Sequence, residues 1–280
     1  MKKKINITVL SDNRKFDETL ESEHGLCVLL DTGKHKILLD TGASGLFIRN
    51  AERLGIDIRE IDYVFISHGH LDHIGGLIPF LEINSKAKVL LSENALTQRF
   101  FSLRKGFKNI SIDTDLDKIK ERCIFIEKEL HLDGDLCIFT CCSTSFCKPI
   151  ANSTLFKDSG NGLELDDFNH ELVFCYGSDD LFVYTGCAHK GLLNILDSAK
   201  RIMDKMPWTV LGGFHLLDST PEQLFETEQE IIQIGTYLNK AYPKTHFLTG
   251  HCTGSQCFEL LRKQLNQQIE LFYTGYSTQL

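Results

Sequence analysis

Ser67-His68-Gly69-His70-Leu71-Asp72-His73-Ile74-Gly75-Gly76 is the stretch that decides how this chain is read. Three histidines and one aspartate fall within six residues, between an apolar run that reads as a buried strand (62–67) and a segment that reads as a helix (73–83). In an extended loop His68 and His70 point the same way, because side chains repeat every second residue. Asp72 and His73 are consecutive and diverge, so they serve a different point in space. Imidazole with carboxylate suits zinc, manganese or iron. Two donor pairs leaving one turn suggest two neighbouring metals, which at a spacing of about 3.5–4 Å can hold a hydroxide and polarise a phosphoryl or carbonyl oxygen. The bland alternative is an exposed polar loop that happens to be rich in histidine.

Working outward, three more histidines stand just past strand-like runs. Thr185-Gly186-Cys187-Ala188-His189 follows a strand at 181–185, Gly212-Gly213-Phe214-His215 follows one at 208–212, and Thr249-Gly250-His251-Cys252 follows one at 246–249. Open α/β sheets place their ligands past the carboxyl ends of strands. The flanking glycines let backbone approach a ligand closely. Histidines 35, 131, 170 and 246 lack this context and read as structural; His24 is kept as a weaker candidate.

The element order predicts a layered α/β protein. Strands are expected at 5–10, 26–31, 36–40 and 88–92, with a helix over 45–54. The second half alternates helices at 190–205, 221–241 and 255–264 with strands, the second opening at Pro221 behind Ser219 and Thr220. Residues 95–170 are less regular and read as a partly ordered lid or insert within a single domain over 1–280.

Composition bounds the function. Of 280 residues, 42% are hydrophobic and 24% charged, which excludes a disordered, collagenous or coiled-coil chain. No apolar run reaches the roughly eighteen residues of a membrane span. The basic start Met1-Lys-Lys-Lys leads into a strand rather than a cleavable leader. Thirty Lys+Arg against 38 Asp+Glu give a net charge of -8, which argues against a general nucleic-acid binder. The ten cysteines match neither a zinc ribbon nor a Cys-x-x-Cys pair, so they read as reduced thiols in the cytoplasm. Oligomeric state is not legible.

The motif Ser-His-Gly-His-Leu-Asp-His-Ile-Gly-Gly resembles the signature of the metallo-β-lactamase superfamily of metal-dependent hydrolases, and Leu38-Leu39-Asp40-Thr41-Gly42 looks like its first motif. Together with Glu23-His24-Gly25, Gly186-Cys187-Ala188-His189-Lys190-Gly191, Gly212-Gly213-Phe214-His215-Leu216 and Gly250-His251-Cys252-Thr253-Gly254, the chain resembles the branch of dihydropterin–ribofuranosylaminobenzene-phosphate synthases, related to methanopterin biosynthesis. The resemblance implies a four-layer αββα sandwich, with Asp40 bracing the metal ligands. It also implies that Gly186-Cys187 stands where a bridging aspartate is usual, so that His189 becomes the later ligand. Cys187 reads as a packed thiol, with a bridging thiolate as the alternative.

On this basis His68, His70 and His189 are assigned to one divalent metal and Asp72, His73 and His251 to the other. Zinc is expected, with manganese or iron also suited. Asp72 is the candidate proton acceptor, Asp40 orients a ligand histidine, and His215, Lys148 and His24 are candidates for anchoring an anionic group. The expected activity is hydrolysis of a small phosphorylated or pterin-like molecule by a metal-held hydroxide. A nuclease or phosphodiesterase of the same superfamily, and a non-enzymatic metal sensor, are the alternatives.

Overall fold

The structure, a computed structural model, describes residues 4–160, 162–177 and 179–280; the basic start at 1–3, Asn161 and Ser178 lie outside the described residues. In chain order the first elements are β1 (Asn6–Ser11), β2 (Cys27–Asp31), β3 (Lys36–Leu39), α1 (Leu46–Arg53), β4 (Tyr63–Phe65), α2 (Leu71–Ile74), α3 (Leu77–Ile83) and β5 (Lys88–Leu91). Then come α4 (Asn94–Thr97), β6 (Arg99–Ser102), β7 (Lys108–Asn109), α5 (Leu116–Ile119), β8 (Cys123–Phe125), β9 (Glu129–Leu132), β10 (Leu136–Thr140), β11 (Leu155–Asp158) and β12 (Leu163–Leu165). The last are β13 (Leu172–Tyr176), β14 (Leu181–Tyr184), α6 (Leu192–Met203), β15 (Pro207–Gly212), α7 (Glu228–Ala241), β16 (His246–Thr249), α8 (Ser255–Leu265), β17 (Ile269–Leu271) and β18 (Ser277–Gln279). This is a mixed α/β chain with several sheets, as the element order predicts.

The chain divides into two compact units. The first comprises Met1–Glu127, Phe156–His170 and Phe272–Leu280. Its seven-stranded sheet has the order β18-β1-β2-β3-β4-β5-β8. Pairing is antiparallel from β18 to β3 and parallel from β3 to β8. Leu38, Val64 and Val89 pack with Phe47 of α1 and Phe80 of α3 in one core cluster. The second unit comprises Lys128–Leu155 and Glu171–Leu271, and its sheet has the order β17-β16-β15-β14-β13-β10-β9. Here β14, β15, β16 and β17 run parallel. Its α6 buries Leu192, Ile195, Leu196 and Ala199, the spacing of one helical face. Each fully buried Leu or Phe contributes about 1.5–3 kcal/mol relative to exposure. A third, four-stranded sheet, β12-β11-β6-β7, is formed within the irregular 95–170 stretch.

Three expectations change. The helix expected over 73–83 is two helices, α2 and α3, separated by Gly75 and Gly76. A Cβ on Gly76 would lie 2.2 Å from the Thr41 carbonyl oxygen and 2.5 Å from that of Ser44, so backbone packs where a side chain would stand. The helix expected to open at Pro221 starts instead at Glu228. Ser219 Oγ accepts from the Phe225 N–H and Thr220 closes a turn with Gln223, so the hydroxyls expected to cap the helix serve a local turn. The observed cap is Thr227, which forms a reciprocal capping box with Glu230. Finally, β18 was not anticipated; it pairs Gln279 with Asn6 across nearly the whole chain length.

Gly76→Ala is expected to destabilise the protein by about 2 kcal/mol or more, because neighbouring backbone oxygens cannot yield as side chains do. Thr227→Ala should cost about 1 kcal/mol, the usual value of a lost cap. Denaturant midpoints rank the two, and a Gly76→Ala milder than Thr227→Ala would refute the close packing.

Candidate functional site

In the first unit the donors leave the carboxyl ends of two neighbouring parallel strands: Asp40 follows β3, and the motif from Ser67 follows β4. Asp40 is fully buried and has φ 59°, a left-handed conformation that aims its carboxylate back at the motif. Its Oδ1 accepts from the Ser67 N–H (2.7 Å), and its Oδ2 accepts from Ser67 Oγ–H (2.7 Å) and His73 Nδ1–H (2.6 Å). Ser67 spends its one proton on Asp40, so its Oγ accepts from His68 Nδ1, 2.8 Å away. These bonds set the tautomers: His68 and His73 both carry their lone pair on Nε2. Burial, then the neighbouring His73, His70 and His170, push the His68 pKa well below the usual imidazole value, so this ring is neutral.

His70 is held differently. Its Nε2 lies 3.3 Å from Asp166 Oδ2, and His170 Nε2 lies 3.1 Å from the same oxygen. His170 Nδ1 accepts from the Gly69 N–H (2.9 Å), so its proton is on Nε2 and is donated to Asp166. A carboxylate only accepts, so His70 likewise donates from Nε2 and carries its lone pair on Nδ1. Burial pushes Asp166 up, but hydrogen bonds from His170 and His70 outweigh it and hold the carboxyl well below the usual range. Gly69 is required here: a Cβ would lie 2.5 Å from the Phe100 ring and 2.7 Å from the Ala95 carbonyl oxygen. Asp72 is half-buried, with Oδ2 3.3 Å from His24 Nε2 and 3.8 Å from His73 Nε2. His24 therefore sits against Asp72.

In the second unit the donors come off three adjacent parallel strands, β14, β15 and β16, as the sequence spacing predicts. His189 is 1% exposed and is tied at three points. Its N–H donates to Glu171 Oε1 (2.6 Å), its carbonyl accepts from Asn152 Nδ2 (2.7 Å), and its Nδ1 lies 3.0 Å from Asn152 Oδ1. The Asn152 amide orientation follows from its bond to the carbonyl, so His189 Nδ1 donates and Nε2 carries the lone pair. The His215 ring lies 4.2 Å from that of His189, centroid to centroid. Cys187, His215 and Cys252 form a buried group whose donor atoms lie within 4.8 Å of one another. The His215 N–H donates to Cys252 Sγ (3.3 Å). Burial pushes the Cys252 thiol up, but hydrogen bonds from Cys187 and His215 and the charge of His251 bring it well below the usual value. Lys148 is exposed and lines a cavity with Gly191 and Phe214 rather than meeting the His215 imidazole.

Four residues that the sequence reading missed orient donors: Asp166, His170, Asn152 and Glu171. His170, read as structural, reaches His70 through Asp166 from a position 100 residues along the chain, and neither partner sits in a motif. The donor set of imidazoles, carboxylates and thiols, with one ring nitrogen of His68, His70, His73 and His189 committed to a partner, fits a borderline divalent metal.

Residues 22–133 match the family model of the metallo-beta-lactamase superfamily. The 7,8-dihydropterin-6-methyl-4-(beta-D-ribofuranosyl)-aminobenzene-5'-phosphate synthase of Methanocaldococcus jannaschii is 24% identical over 96% of this chain and 94% of its own length. The crystal structure of a metal-dependent hydrolase of the beta-lactamase superfamily superposes with a TM-score of 0.78 at 27% identity, covering 98% of both chains. A diphosphatase from the PhnP family superposes at 0.54 and 16% identity over 100% of this chain and 98% of its own, a likeness of fold alone.

Asp166→Asn should lower metal affinity about 10–100-fold with the fold intact, because partners of metal-binding histidines are worth that much. Chelator competition reads it, and an unchanged affinity would refute the role of Asp166. His189→Ala should lower metal occupancy and activity by orders of magnitude while Cys187→Ser stays mild. The reverse ranking, with a sulfur-to-metal charge-transfer band that Cys187→Ser removes from the cobalt-loaded protein, would establish a bridging thiolate.

Proposed function

We propose that this chain, whose residues 22–133 match the metallo-β-lactamase superfamily model and whose fold is that of a solved hydrolase of that superfamily, is a metal-dependent hydrolase of a small phosphorylated or pterin-like molecule, using a dinuclear metal site. The observation that carries the reading is that His68, His70, His73 and His189 each have one ring nitrogen committed to a side-chain partner, buried for the first three and half-buried for His189. Such bracing fixes tautomer and orientation, which a ligand needs and a chance cluster lacks. The ligand assignment made from the sequence is kept: His68, His70 and His189 for one metal, Asp72, His73 and His251 for the other, with zinc as the expected ion. When bound, divalent metals supply Lewis acidity and lower the pKa of coordinated water to about 7.

The chain's own residues do the rest. Asp72 Oδ2 accepts the proton of the attacking water, a role worth about 10²–10⁴ in rate for a positioned base. His24, 3.3 Å from that oxygen and largely exposed, relays the proton outward. His215 and Lys148 are the proposed anchors for the anionic group. The stretch 95–170 is proposed to carry specificity as a partial cover. The pterin component of the substrate class is supported by the relative named as a dihydropterin synthase, at 24% identity. All ten cysteines are free, which supports a reducing, cytoplasmic setting, and no helix among the described residues is long and apolar enough to cross a membrane.

Purified protein should carry close to two metals per chain, lost when Asp72 and His73 are both replaced by alanine. It should hydrolyse at least one member of a phosphoester, thioester and lactam panel in a chelator-sensitive manner. One metal in both wild type and double variant would sink the dinuclear site, and full metal content with no turnover would favour the sensor reading.

A further inference from the structure

The loops that carry His189 and His215 also wall a cavity inside the second unit. Its volume is about 360 Å³, within the range of small-molecule pockets, and Gly191 and Phe214 bring it within two residues of both histidines. The wall is largely apolar: Leu193, Phe214, Ile234 and Tyr237 contribute, with Phe146 meeting the Tyr237 ring edge-on at 5.0 Å. Two charged groups interrupt it. Lys148 is exposed at the lining, and Glu226 is half-buried. Glu226 Oε1 accepts from the Ile150 N–H (2.6 Å), whereas Oε2 is shielded from solvent and has no hydrogen-bond partner among the described residues. A carboxyl oxygen in that state is unfavourable until a donor reaches it. Burial accordingly pushes the Glu226 pKa up.

These features select a ligand class. A phosphate at Glu226 would set like charges together, and a sugar would leave its hydroxyls unanswered against the apolar wall. A flat ring system satisfies the wall, and ring N–H groups satisfy the carboxylate, which has about four lone-pair sites of which Ile150 occupies one. We propose that this cavity seats a planar nitrogen heterocycle of the pterin type, its N–H edge on Glu226, its face on Leu193, Phe214 and Tyr237, and an anionic substituent at Lys148. The proposal rests on the phosphorylated or pterin-like substrate reading above, and specifies where such a ring sits and which residues recognise it.

The test is fluorescence titration of the full-length, metal-loaded protein with pterin and with pterin-6-carboxylate, beside phosphoester turnover of the same preparation. Ile234→Trp, which fills the cavity, and Glu226→Gln, which keeps its shape but turns one acceptor into a donor, should each weaken both ligands at least tenfold. Lys148→Ala should weaken pterin-6-carboxylate alone. Wild-type protein that binds neither ligand, or binding that Glu226→Gln and Ile234→Trp both leave unchanged, overturns the assignment. Turnover without pterin binding would remove the cavity proposal and leave the hydrolase reading standing. Variant-sensitive pterin binding by metal-loaded protein with no turnover would support the cavity and overturn the hydrolase reading.

Discussion

The buried carboxylate of Asp40 is the constraint on which the first half of the site depends. A fully buried carboxyl is costly unless its lone pairs are answered. Three donors answer this one, and all three come from the motif it organises: Ser67 N–H, Ser67 Oγ–H and His73 Nδ1–H. Because Ser67 gives its hydroxyl proton to Asp40, it accepts from His68, so one carboxylate sets the tautomers of two histidines. Removing any member leaves a buried polar group unpaired, and the loss propagates along the chain of bonds.

Holding such donors has a conformational cost. Asp40, Ala188, His215 and His251 are non-glycine residues with φ between 48° and 59°, each at or beside a candidate donor. Left-handed backbone at ordinary residues costs of order 1 kcal/mol or more per position and clusters at functional sites. In both units these positions lie just beyond parallel strands, where the sheet holds the loop ends rigidly enough to sustain the strain.

What was legible in the sequence is what local spacing encodes. The alternation of His68 and His70, the glycine-flanked histidines after strands and the order of strands and helices all follow from periodicity. The bracing partners were not legible, because they are ordinary residues brought in from afar. Asp166 reaches His70 across 96 positions and Asn152 reaches His189 across 37. The start of α7 was misread because Ser219 and Thr220 are good cap residues whose hydroxyls a local turn takes first. The irregular 95–170 stretch hid its role for a related reason. Its end, 156–170, returns to the first unit and carries Asp166 and His170, so part of the expected cover is wired to a motif histidine.

The thiols of the second unit extend the same logic of assigning protons by partner. Cys252 Sγ accepts from the His215 backbone N–H (3.3 Å), and its own thiol lies 3.8 Å from the Cys187 carbonyl oxygen, to which it donates. A thiol that donates must hold its proton, so the contact to the Cys187 carbonyl is one that only protonated Cys252 makes. Two adjacent buried thiolates would repel with little solvent to screen them, which disfavours ionising both. The resemblance placed the ambiguity at Cys187, where a bridging aspartate is usual. Cys252 lies two strands further along the sheet, on the loop after β16, where burial raises its pKa but hydrogen bonds and the charge of His251 bring it below the usual value. Both thiols belong to one buried group with His215, whose backbone N–H is held towards Cys252 Sγ by its own left-handed turn.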